Sequence, residues 1–151
     1  MSHSRFDWHV RIKAVELEYG SARLAVDRLS EVVAHDPGVL GSGTRPRDLK
    51  STGENLEGTY LIRMFAQFET AVRSFWRTIR PKARTQTEGL LDRVGDRRGI
   101  PFEVMRDAQV VRAYRNKLVH ERDKQSDPVT ITEARGRLAT YLAYLPRGWD
   151  G

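Results

Sequence analysis

Apolar residues recur at Trp8, Ile12, Val15, Tyr19, Ala22, Val26, Leu29 and Val33, stepping by four and three throughout. Steps of that size keep side chains on one side of an α-helix and cannot build the alternating face of a strand. The stretch therefore reads as one long amphipathic helix. Such a stripe is stable only when another element covers it, so the chain needs further helices to pack against.

The rest of the chain supplies them. The segment His35 to Lys50, HDPGVLGSGTRPRDLK, carries Gly and Pro repeatedly and reads as a long loop at about 36–50. A second helix is expected from Ser51, with Glu54 completing a capping box. Its stripe is Leu61, Phe65, Phe68, Val72, Phe75 and Ile79, widened by Met64 and Trp76, and Pro81 ends it. Thr85 and Glu88 suggest another capping box, for a short helix near Thr85 to Val94 that stops around Gly95 and Gly99. Pro101 suits the first position of a third long helix, running to about Arg122. DKQSDPV is a turn. Thr130 and Glu133 then cap a helix with Ile131, Ala134, Leu138, Tyr141, Leu142 and Leu145 on one face; Pro146 closes it, and RGWDG is a short tail. No strand and no repeat is convincing. The expected fold is an all-α bundle of four to five helices in a single domain over residues 1–151.

Composition removes several functions. The chain has no cysteine, which excludes disulfides, a cysteine nucleophile and cysteine-rich zinc sites. A reducing cytoplasm fits that usage. The start, MSHSRFDWHV, lacks an apolar stretch, so no secretory leader is expected. No run of 18 apolar residues exists, so no membrane span is expected. No clustered ligand set calls for a metal, and no motif calls for a cofactor. The net charge is +6, and of the 26 Lys and Arg residues 21 are arginine. Arginine forks pair bidentately with phosphates, so a polyanion such as RNA or DNA is a natural partner. A GC-rich genome would raise the arginine content equally well.

The string YRNKLVHERD, Tyr114 to Asp123, carries the strongest candidate site. With Val104 as zero and about 100° per residue, Ala108, Val111, Leu118 and Val119 fall within about 60°. Arg115 falls at about 20°, inside this apolar stripe. A guanidinium there is costly unless it is paired or opens on a cleft. Asn116 and His120 lie four apart and share a neighbouring face. Glu69, beside the stripe of the second helix, is the candidate partner for Arg115. The Arg-x4-His spacing alone means little in so arginine-rich a chain. Its context, a polar residue after a buried-stripe arginine on a late helix, means more.

Those residues, with RNKLVH at their centre, resemble the signature of the HEPN superfamily: an arginine, a polar residue, a few more, and a histidine. Members are small helical bundles with the motif on a late helix, and many are metal-independent endoribonucleases of toxin–antitoxin and antiviral systems. They usually pair as homodimers that bring two motifs into one cleft. The resemblance implies that Arg115, Asn116 and His120 are catalytic. His120 would move protons, Arg115 would hold the phosphate, and Asn116 would orient one of them. It also implies RNA as substrate, 2′,3′-cyclic phosphate and 5′-hydroxyl ends, and an antitoxin or defence-system partner. One position departs from the pattern. Some members carry a tyrosine two residues past the histidine that a partner modifies with AMP; here Arg122 stands there, and Tyr114 does not replace it.

Arg73, Arg77, Arg80 and Arg84 recur at three and four within RSFWRTIRPKAR and form a basic ridge suited to a phosphate backbone. With Lys117 they are the candidate RNA-binding set. Phe75 and Trp76 within the ridge read as core rather than as platforms for bases. Plainer readings stand beside these. Arg115 could be a core-edge arginine whose head reaches water, and His120 a residue favoured by a helix C-terminus. His3, His9 and His35 are scattered and read as surface residues. The alternative functions are a non-catalytic HEPN-like module that binds RNA or protein, and an unrelated helical adaptor.

Overall fold

A computed structural model describes residues 2–120 and 127–150. Among them are five α-helices: α1 (Arg5–His35), α2 (Pro46–Ile79), α3 (Thr87–Arg98), α4 (Phe102–His120) and α5 (Ile131–Leu142). The protein is an all-α helical bundle. None of these helices is long and apolar enough to cross a membrane.

α2 is the centre, packing against all four other helices. Its inward side chains Leu61, Met64, Phe65, Phe68, Val72 and Phe75 are buried, as the four-and-three spacing requires. α1 lays Trp8, Ile12 and Val15 on this core. At 31 residues it is longer than the core beneath it, and Phe6, Val10, Leu17, Leu24 and Val32 face outward, as does Leu29, which the expected stripe turned inward. α5 is held at its start by the expected box: the Thr130 hydroxyl accepts from the Glu133 N–H, and the Glu133 carboxylate accepts from the Thr130 N–H. Such a cap is worth about 1 kcal/mol. Deeper in, the Tyr141 hydroxyl donates to the Leu91 carbonyl at 2.7 Å, tying α5 to α3.

Four expectations need correction. The 36–50 segment is not all loop: Pro37–Leu40 forms a short 3-10 turn, and α2 starts at Pro46 rather than Ser51. Pro46 has the fixed φ that suits a first helical position, and the Asp48 carboxylate accepts the Arg45 N–H at 3.1 Å, so the cap lies one turn and a half earlier. Likewise α3 starts at Thr87, because the Thr85 carbonyl and hydroxyl are taken by Arg73 and Arg93 instead of capping a helix. Its end is Gly99, in the left-handed conformation at φ 62°. Gly95 is no stop; it is a buried crossing point, where an added Cβ would meet Met105 Sδ of α4 at 1.9 Å.

The tail is the fourth correction. Gly148–Asp150 (β2) pairs antiparallel with Ser2–Ser4 (β1). Between exposed neighbours, Trp149 turns inward, donates its indole N–H to Ser74 Oγ at 2.7 Å and meets Phe75 edge-on at 5.8 Å. The Arg5 guanidinium donates to the carbonyls of Ala143 and Leu145. Three-residue strands are too short for any period to register, so this ribbon is invisible in sequence. The expected end of α4 at Arg122, and most of the turn after it, lie outside the described residues; α4 is described to His120.

Candidate functional site

α4 is built to expose one ridge and bury another. Ala108 and Val111 are buried, and Tyr114 and Leu118 pack on the core edge. Arg115 lies on this buried side, as its phase requires. Its Cζ stands 6.0 Å from the centre of the Phe65 ring, and its Nε is buried with no acceptor among the described residues. Nη1 donates to Asn116 Oδ1 at 3.0 Å. The guanidinium therefore runs under the surface and delivers its far end beside Asn116.

Arg112, Asn116 and His120 are spaced by four and so share a ridge of α4. Arg112 and Asn116 line a shallow polar pocket with Arg73, Gln86, Thr87 and Glu88. His120 is exposed one turn beyond Asn116, about 6 Å further along the axis by helix geometry. Arg112 escaped the sequence reading, although its position four before Asn116 was a usable signal. Its Nε donates to Gln109 Oε1, and its Nη2 stands 3.6 Å from Glu88 Oε2.

Glu69 does not pair directly with Arg115. Its Oε1 accepts from Arg73 Nη2 at 2.8 Å and Nε at 3.0 Å, and from the Thr87 hydroxyl at 2.6 Å. Burial raises the Glu69 pKa, but the Thr87 hydrogen bond, the hydrogen bond and charge of Arg73, and the charge of Arg115 outweigh it and leave the group below its ordinary value. Arg115 thus acts on Glu69 through its field rather than by contact. The bond to Arg73 wins because the two residues are one turn apart on α2, whereas Arg115 must reach from another helix.

The basic ridge is divided. Arg73 is consumed by structure: besides Glu69 it donates to the Thr85 carbonyl at 2.7 Å and to Thr87 Oγ1 at 3.0 Å, tying α2 to the start of α3. α2 ends at Ile79 with Arg80 as its C-cap, so neither Arg80 nor Arg84 lies on the helix with Arg73 and Arg77. Arg84 folds back beside Arg77, and both line a cavity of about 410 Å³ whose walls also include Arg73, Trp76 and Gln86. Arg80 lies apart, in a separate shallow pocket with Pro81 and Lys82. Lys117 is half-buried and lines neither the α4 pocket nor this cavity. Phe75 is buried, as expected of a core residue, but Trp76 is only half-buried.

Among the described residues, no group of three or more His, Asp or Glu side chains could hold a metal ion. The acids here are matched, the Glu69 carboxylate by Arg73 and that of Glu88 by Arg112, and Arg115 adds a positive charge with no acid in contact among the described residues. An anion in this pocket would meet Arg112 and the Asn116 amide, with the exposed His120 one turn further along the same ridge and Arg115 reaching it only by way of Asn116. No family model matches the chain, and neither a curated protein nor a solved structure does.

Proposed function

We propose that the chain is an RNA endonuclease of the HEPN type that needs no metal. The observation that carries this reading is the placing of Arg115, with its Nε buried and Nη1 held on Asn116 Oδ1, while Asn116 shares a ridge of the same helix with the exposed His120. A half-buried arginine whose Nε is buried without an acceptor is costly to a fold, and such a cost is expected at a functional site.

The reaction is transesterification followed by release. The RNA 2′-hydroxyl attacks the adjacent phosphorus, giving its proton to one imidazole; the O2′–P bond forms. The P–O5′ bond breaks, and the departing 5′-oxygen takes a proton from a second imidazole. The products are a 2′,3′-cyclic phosphate and a 5′-hydroxyl. Arg115 holds the phosphate and stabilises its growing charge, and Asn116 orients phosphate or imidazole. One motif contributes one histidine, so a two-fold homodimer supplies the other. The likeness of RNKLVH to the family motif suggests a toxin or antiviral-defence setting in the cytoplasm, with an antitoxin or defence partner.

Incubation of the protein with RNA in EDTA, beside His120→Ala, tests the proposal. Cleavage by the native chain that disappears in the variant supports it; equal cleavage by both identifies a contaminant and sinks it. One observation favours a second reading. The arginines Arg77 and Arg84 line a cavity that His120 does not. A module that binds RNA without cutting it would have that property, and binding without cleavage would select it.

A further inference from the structure

We infer that the cavity between the end of α2 and the start of α3 is a subsite for one nucleotide of single-stranded RNA, its base against Trp76 and its phosphate on Arg77 and Arg84. This rests on, and extends, the reading of the Asn116 pocket as an RNA site.

The walls carry the chemistry. Trp76 packs one part of its indole on the core, and another part lines the cavity. Its Nε1 is buried without an acceptor among the described residues, so it is the carbon surface of the ring, not its N–H, that the cavity meets. Arg77 and Arg84 are exposed and make no hydrogen bond or ion pair among the described residues. They differ in this from Arg73, whose charge is matched by Glu69. No Asp or Glu lines the cavity, so two cations stand there without local compensation. The N-terminus of α3 opens at the same place without a side-chain cap on Gln86, which adds free N–H groups, while Glu88 in its first turn offsets part of the positive dipole end. An aromatic face next to unpaired cations suits an unstacked base and its phosphate. A duplex keeps its bases stacked inside and offers none to Trp76.

Position connects this cavity to the proposed scissile site. Arg73 and Gln86 line both the cavity and the pocket that holds Arg112 and Asn116. A strand with its phosphate at Asn116 would cross Gln86 and place a flanking nucleotide against Trp76. The subsite would then restrict cleavage to unpaired RNA.

The test uses the full chain carrying His120→Ala, so that substrate survives, with a labelled single-stranded oligoribonucleotide and the blunt duplex of the same sequence. Binding is followed by fluorescence anisotropy and by tryptophan quenching, since Trp8 and Trp149 are buried and Trp76 is not. Single strands are expected to bind tighter than duplex. Trp76→Ala is expected to weaken single-strand binding about tenfold, with Trp76→Phe restoring most of it. Arg77→Gln and Arg84→Gln are each expected to lower the salt slope by about 0.7, whereas Arg28→Gln on the outer face of α1 leaves it unchanged. Because Arg77 and Arg84 are exposed, their variants fold even if Trp76→Ala does not. Equal binding of duplex, or native affinity and salt slope in the Arg77→Gln/Arg84→Gln double variant, overturns the subsite. If the native chain cleaves RNA and those two substitutions alter neither binding nor cleavage, the endonuclease stands and the subsite falls. If it does not cleave but single-strand binding depends on Trp76, the reverse holds.

Discussion

Arg115 donates to Asn116 Oδ1 at 3.0 Å across a single step of α4, while its own Nε lies buried beside Phe65 without an acceptor among the described residues. One guanidinium is thus half spent on a neighbour's amide and half on nothing. A residue kept for stability would have the opposite pattern, with its buried donor satisfied first. The expected consequence is a split between stability and activity. Arg115→Met fills the same volume and removes the unanswered donor, so its Tm should equal or exceed that of the native chain. Its cleavage rate in EDTA should fall at least about 100-fold, the usual cost of losing a donor to developing charge. A variant that is destabilised by several degrees and still cleaves would show Arg115 to be structural.

The Glu69–Arg73–Thr87 cluster gives a pH signature. Glu69 has its pKa lowered in the fold, so its contribution to stability is fully present above the unfolded value, about 4.3, and is lost as pH falls through the lower folded value. Thermal melts of the native chain and Glu69→Gln should differ most above about pH 5 and converge as the pH falls below the unfolded value. Curves that stay parallel across that range would contradict the assignment.

The same cluster predicts the outcome of a charge exchange. Swapping Glu69 and Arg115 should not restore stability, because Arg73 would then face a second arginine one turn away. A double-mutant cycle between Glu69→Ala and Arg73→Ala should instead show coupling of about 1 kcal/mol, measured by urea denaturation.

Gly95 is held by contact, not by backbone conformation. Gly95→Ala raises helix propensity by about 1 kcal/mol yet drives a methyl into Met105. The clash should win, with a net loss of about 1–3 kcal/mol in urea titrations. Met105→Ala in the same chain should recover part of it, since the sulfur is what the methyl meets.

The terminal ribbon should matter more than its length suggests. Trp149→Ala removes a buried indole and leaves Ser74 Oγ without its donor, at a cost of about 3–5 kcal/mol. Ser74→Ala should cost only about 1 kcal/mol. Equal and small losses in differential scanning calorimetry would mean that the ribbon frays in solution.

What the sequence by itself determined was whatever repeats with the helical period or sits within one turn. The stripes of α1, α2 and α5, the Thr130–Glu133 box and the phase of Arg115 all belong to that class, because each depends on residues three or four apart. The tertiary structure alone decided which side chain answers which across elements. Arg73 rather than Arg115 takes Glu69; Gly95 marks a crossing rather than an end; the tail becomes a strand with a buried tryptophan; Arg84 folds back to Arg77 after the helix has stopped. Those outcomes depend on the distance between elements that no local period encodes. The candidate site lies on that boundary: the residues of RNKLVH could be read along one helix, but the pocket beside Asn116 exists only because Arg73 and Thr87 hold the start of α3 against α2.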